Sequence, residues 1–260
     1  MEFATWQLDF ERALLATAVH NGHDLRPEVE AAMVLDEDTR LREEDPHTGE
    51  LAAFVGPHVT VNRSRFEVDL NRPPDTSVYE TPEDSWGLRV WRERPDPDLV
   101  AASRALHGDF YDRLGTTLEK LVQRHGGFVL YDVHSYNHRR EGPLARPEPQ
   151  DRNPTVNLGT GSLPARWKPV AEAFLDSMRS STAAGLPIDA RENVKFEGRY
   201  VAQFVHDNFG EAGCALAIEF KKVFMDEWSH TLHAEALDQF GTALARSTGP
   251  VLEAWESQCR

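Results

Sequence analysis

Phe128-Val129-Leu130-Tyr131-Asp132-Val133-His134-Ser135 is an apolar run that ends in Asp-x-His. Gly126-Gly127 precede it, and a near-continuous apolar stretch of this length, bounded by turn residues, reads as a fully buried strand. Residues 101–124 read as a helix, because Leu106, Phe110, Leu114, Leu118, Leu121 and Val122 recur at helical spacing and Gly126-Gly127 supply the stop. Two further runs have the same character. Residues 13–19 read as a buried strand entering His20-Asn21-Gly22-His23, and residues 214–220 as another that carries Glu219 near its end. Helices alternating with apolar strands imply an α/β fold, here a mixed central sheet with helices on both faces.

Shorter elements fill the rest. Residues 27–33 read as a helix, with Pro27 early and Glu28 and Glu30 in its first turn. Residues 36–45 are acidic and read as partly exposed. Val59-Thr60-Val61-Asn62 and Phe66-Glu67-Val68-Asp69 read as short strands flanking a turn. Residues 73–100 and 139–164 read as long irregular loops, which in a compact domain are often functional. Residues 167–180, 200–208 and 235–245 read as helices. With no internal repeat and no clean linker, residues 1–260 read as one domain.

Composition narrows the function. The net charge of −15 argues against nucleic acid, which needs a clustered basic face, whereas Arg139-Arg140 and Lys221-Lys222 are short. No stretch approaches the roughly 20 apolar residues of a membrane span. The start, Met1-Glu2-Phe3-Ala4-Thr5-Trp6, lacks a basic and apolar leader, so a cytoplasmic location is expected. Cys214 and Cys259 are too few for a disulfide framework or a cysteine zinc site.

The chemistry gathers at strand ends, where open α/β sheets bind ligands. His20, His134 and Glu219 all fall at such ends. Two imidazoles suit one divalent metal, with zinc the leading choice, and a catalytic zinc takes three protein ligands and one water. His23, at His-x-x-His spacing, and Asp45 compete for the third place. Asp132 shares a strand face with His134, so it either orients that ligand or serves as a salt-bridge partner. Glu219 reads as a general base whose pKa burial would raise, or as the ion-pair partner of Lys221. Arg65 and Arg72 could each hold a carboxylate in two parallel hydrogen bonds, and Arg65 could instead polarise the scissile carbonyl. Asn71 adds an amide donor, and Asp69 could fix one arginine. The plain alternative is that Asp69-Leu70-Asn71-Arg72-Pro73-Pro74 is a strand end and turn.

Four stretches carry a family resemblance. They are Val19-His20-Asn21-Gly22, the run from Ser64 through Asp69-Leu70-Asn71-Arg72 to Pro74, Asp132-Val133-His134-Ser135, and Leu216-Ala217-Ile218-Glu219-Phe220 followed by Met225-Asp226-Glu227. In this order they resemble the N-formylglutamate amidohydrolase family, which is related to zinc carboxypeptidases and aspartoacylase-type deacylases. The resemblance implies a zinc-peptidase-like, phosphorylase/hydrolase-like fold. It implies His20 and His134 as ligands with a carboxylate near Asp45, Glu219 as base, Arg65 as the carbonyl-polarising residue, and Asn71 with Arg72 as the carboxylate clamp. In the carboxypeptidase relatives the third ligand is a Glu three residues after the first His, where this chain has His23. Lys195-Phe196-Glu197-Gly198-Arg199-Tyr200 departs from the family's Gly-rich stretch.

The expected function is metal-dependent hydrolysis of a linear amide on an N-acyl amino acid, N-formylglutamate leading. The expected partner is thus a small N-acyl amino acid or short peptide. A carboxypeptidase or amidase trimming a peptide or cell-wall fragment is the in-class alternative. A non-catalytic carboxylate-binding protein is the alternative from another class.

Overall fold

The computed structural model describes residues 2–259. Nine strands and seven α-helices are formed among them. The strands are β1 (Ala4–Gln7), β2 (Leu14–Ala18), β3 (His58–Val61), β4 (Phe128–Tyr136), β5 (Val156–Gly159), β6 (Thr182–Ala183), β7 (Leu186–Pro187), β8 (Ala190–Glu192) and β9 (Gly213–Lys221). The helices are α1 (Pro27–Ala32), α2 (Glu37–Glu43), α3 (Thr48–Ala53), α4 (Pro97–His125), α5 (Lys168–Arg179), α6 (Tyr200–Phe209) and α7 (Ala234–Gln258).

Seven strands make one mixed sheet in the order β1-β3-β2-β4-β9-β5-β8, and β6 and β7 form a separate hairpin. The centre, β3-β2-β4-β9, is parallel, while β1 and β5 run antiparallel to their inner neighbours. Every residue of β2 and β4 is buried, as a parallel strand covered on both faces requires.

Alternation along these strands feeds two cores. Val129, Tyr131 and Val133 of β4, with Leu216 and Ile218 of β9, pack toward Phe174 of α5 and Phe240 of α7. Phe128 and Leu130, with Ala215 and Ala217, pack toward Leu114 and Leu118 of α4 and Val201 of α6. Helices therefore cover both faces, as expected. Asp132, His134 and Glu219 fall on the α4/α6 face by the same period of two.

The long helix α4 follows local rules. The Asp96 side chain caps it by accepting from Asp98 N, Pro97 opens it, and Gly126 at φ 81° ends it with its N–H on Val122 O. Its buried stripe includes Phe110, Leu114, Leu118 and Leu121. Truncating Leu114, which is fully buried, would cost about 2–5 kcal/mol.

Several readings are corrected. Residues 66–69 are not a strand. Glu67 N donates to Ser64 O at 3.0 Å, Asn71 N donates to Asp69 Oδ1 at 2.8 Å, and the acids that alternate with apolar residues are themselves buried. Glu67 is held there by the Arg26 Nε (2.7 Å) and N–H (2.8 Å), so alternation here marks a paired turn. Residues 139–164 are not all loop, since they contain β5. Helix α7 runs well past residue 245, because burial of Val251 and Trp255 outweighs the internal Pro250. Strands β1 and β8 and helices α2 and α3 had no strong sequence signal.

Candidate active site

Each catalytic candidate is delivered by its own segment. His20 lies two residues beyond β2, where Gly22 presses on the exit of β3. A Cβ at Gly22 would sit 2.1 Å from Asn62 C, so the turn admits no side chain. Asp45 follows α2 and is tied by its N–H to His20 O at 2.9 Å. His134 and Glu219 are paired residues of adjacent strands β4 and β9, so their side chains emerge side by side.

The three metal-ligand candidates converge. Asp45 Oδ2 is 3.0 Å from His134 Nδ1 and 3.4 Å from His20 Nδ1. One ligating atom from each lies within 4.8 Å of the others, and all three residues are buried. A carboxylate lies beside each opposite ring nitrogen. His20 Nε2 meets Asp69 Oδ1 at 2.6 Å, and His134 Nε2 lies 3.0 Å from Asp132 Oδ2. Carboxylates beside Nε2 orient both rings with Nδ1 toward Asp45, the arrangement that positions metal-ligating histidines. Asp132 is set in turn by Thr17 Oγ1, which donates to its Oδ1 at 2.9 Å from the register position opposite on β2.

His23 does not join this group. Its Nδ1 meets Glu44 Oε2 at 2.5 Å and its Nε2 lies 3.2 Å from Arg40 Nη2, which leaves Asp45 as the third member. Asp45 and Glu44 are buried although they end an acidic run that reads as a solvated face.

Electrostatics follow from burial and neighbours. Burial opposes ionisation of Asp45, but hydrogen bonds to His134 and His20 outweigh it and hold the carboxyl far below the usual range. For Asp69, burial is likewise outweighed, by Arg65 and His20, and its pKa is lowered. His134 is held well above the ordinary imidazole range, since Asp132, Asp45 and Glu219 overcome its burial. Glu219 moves the other way. Burial first, then Asp45 and Asp132, push it up to about 8 against the pull of His134 and Arg65. Glu219 makes no ion pair with Lys221, whose Nζ donates to Gln150 Oε1 and to Asn153 O.

Residues from the Asp-Leu-Asn-Arg segment divide. Arg65 lines the cavity, with its Nη2 on Asp69 Oδ2 (2.9 Å) and its Nε on the Tyr79 hydroxyl (3.1 Å). Asn71 also lines it. Its Oδ1 accepts from Val201 N at 3.1 Å, which turns its Nδ2 inward to 3.2 Å from His134 Nε2. Arg72 is outside the lining. Its Nη2 donates to Asp84 O at 2.6 Å and its guanidinium lies over the Tyr79 ring at 4.5 Å, so the expected Asn71–Arg72 clamp is not assembled in the cavity.

The cavity has a volume of about 90 Å³ and joins, through Asn71, His134, Phe196, Arg199 and Glu219, a cleft of about 290 Å³. Arg140, Arg199, Lys222 and Trp86 also line it, and none of them stands out from the sequence as a site residue. They sit in loops or one residue past a strand, where no periodicity marks direction. Two donor-type imidazoles, one carboxylate and an excess of surrounding carboxylates fit a divalent cation. No helix among the described residues is long and apolar enough to cross a membrane.

The family model described as N-formylglutamate amidohydrolase matches residues 12–225. No curated protein matches the sequence. An N-formylglutamate amidohydrolase from Ralstonia eutropha JMP134 superposes with a TM-score of 0.75 at 16% identity, over 99% of this chain and 98% of that one. A gene product from Agrobacterium tumefaciens superposes with a TM-score of 0.62 at 16% identity, over 94% and 95%. Likenesses at such identity establish the fold.

Proposed function

The chain belongs to the N-formylglutamate amidohydrolase family, and on that premise we propose that it hydrolyses the amide of an N-acyl amino acid, N-formylglutamate first, with the help of one divalent metal. The observation that carries this reading is the convergence of His20 Nδ1 and His134 Nδ1 on Asp45 Oδ2, with Glu219 beside His134 in register.

His20, Asp45 and His134 would hold the ion, with Asp69 and Asp132 orienting the two imidazoles. When bound, a divalent ion supplies Lewis acidity toward water and the acyl oxygen, and zinc suits this donor set. Glu219, paired in register with His134, takes the proton of the attacking water and passes it to the leaving nitrogen. Arg65, braced by Asp69 and Tyr79 at the cavity wall, keeps Nη1 without a hydrogen bond among the described residues and would offer it to the developing oxyanion. Asn71 offers its amide to the substrate. A cavity of about 90 Å³ with an adjoining cleft of about 290 Å³ suits a small N-acyl amino acid better than a cell-wall fragment.

Metal analysis of the purified protein beside an assay for formate release from N-formylglutamate tests this. We expect about one metal per chain, and turnover that chelation abolishes and zinc restores. A protein that takes up no metal on reconstitution, or that is fully active without one, would overturn the mechanism. Stoichiometric binding of substrate without turnover would favour a binding protein.

A further inference from the structure

We infer that Arg140 and Arg199 are the two carboxylate receptors of the cavity and together select a dicarboxylic substrate. This rests on the reading of the cavity as the amide-hydrolysing site.

Four cations line the cavity, namely Arg65, Arg140, Arg199 and Lys222. Two are already engaged. Arg65 is bound to Asp69 and Tyr79, and Lys222 Nζ donates to Arg42 O and Glu44 O, each at 2.6 Å. Arg140 has only a 3.6 Å approach to Glu43 Oε2, and Arg199 has no side-chain hydrogen bond or ion pair among the described residues. A free guanidinium fork matches a carboxylate with two parallel hydrogen bonds.

Both forks line the cavity, and they differ in what else they border. Arg140 enters from the loop after β4, on the Glu43 side. Arg199 precedes α6 and also lines the adjoining cleft with Phe196, Gly198 and Ala217, where Arg140 is absent. His134 and Glu219 line both spaces, so a ligand spanning the two arginines passes the reacting centre.

The backbone leading into Arg199 is pinned, and the placement of Arg199 carries a cost. Asn157 Oδ1 accepts from Val194 N (2.9 Å) and Lys195 N (2.8 Å), and its Nδ2 donates to Phe196 O (2.8 Å). A Cβ at Gly159 would lie 2.3 Å from Gly198 N, so the segment rests directly on β5. Arg199 is also the N-cap residue of α6 and makes no capping bond there. A cation at a helix N-terminus has the unfavourable sign, and Ser, Asp or Asn would stabilise the helix better. A bound carboxylate would reverse that disadvantage.

Calorimetry on the zinc-reconstituted protein, using glutarate and butyrate as probes, tests the inference. A carboxylate landing on the metal is common to both probes, so the ratio of their affinities isolates the second receptor. Wild type should prefer glutarate by about tenfold or more, and R140Q and R199Q should each weaken glutarate by about tenfold and erase most of the preference, with unchanged circular dichroism. Equal affinities in wild type, or glutarate binding within about threefold of wild type in either variant, would overturn it. If wild type prefers glutarate yet releases no formate from N-formylglutamate, the hydrolase reading fails and the receptor pair stands.

Discussion

The two ends of the central sheet carry the same residue types and opposite chemistry. At the C-terminal ends of β2, β4 and β9, His20 and His134 have carboxylates on Nε2 and turn Nδ1 toward Asp45. At the other end, His206 lines a roomier space of about 540 Å³ and pairs with Ser162 Oγ at 2.8 Å. That pair resembles a nucleophile and its base. However, Ala215 N donates to His206 Nε2 at 3.0 Å, so the proton of the neutral ring sits on Nδ1 and is donated to the serine. Burial pushes His206 down to about 4, which keeps it in that tautomer at neutral pH. It cannot take the serine proton. What the second ring nitrogen touches decides the role of a histidine, and the size of the neighbouring space does not.

The contrast is broken most directly by removing one histidine from each end. His134→Ala should lose the metal and at least about a thousandfold in kcat/KM. His206→Leu should leave activity near wild type and cost about 1–3 kcal/mol of stability, because the buried Ala215 N–H loses its acceptor. Titration of metal content, kinetics and denaturant melts read all three quantities. A large kinetic defect in His206→Leu would erase the distinction.

Glu219→Gln should retain metal and lose about a hundredfold to ten-thousandfold in kcat. The base works deprotonated, so protonation as pH falls removes activity. With its pKa pushed upward, the acid limb of the wild-type kcat/KM profile should lie well above the ordinary glutamate value of about 4.3. That limb should vanish from the residual activity of the variant, and its persistence would assign the base elsewhere.

A smaller effect sharpens the argument about the second nitrogen. Asp132→Asn should weaken metal binding by about 10- to 100-fold, since the amide is a poorer partner for His134 Nε2. Thr17→Val, which removes only the 2.9 Å bond to Asp132, should act in the same direction and less. Competition with a chelator ranks the two. Equal affinity in Asp132→Asn and wild type would show that the carboxylate does not tune the ligand.

Local signals in the chain settled a good deal. The buried strands at 14–18, 128–136 and 213–221 follow from near-continuous apolar runs, which a strand covered on both faces requires, and the stripe of α4 follows from a periodicity of 3.6. Those strands place His20, His134 and Glu219 at their C-terminal ends. Packing settled the rest. Asp45 became a buried partner of His134, 89 residues away, although its run reads as solvated, because the His20 carbonyl holds its backbone in place. His23 went to Glu44 and Arg72 to Asp84, although both stand beside cavity residues in sequence. Strand β5 gained its place only by pairing with β9, and with it came the segment that presents Arg199. Sequence determines which residues are buried through short periodic constraints on the backbone. Which charges meet is a sum of desolvation and pairing across distant segments, and that sum exists only once the sheet is assembled.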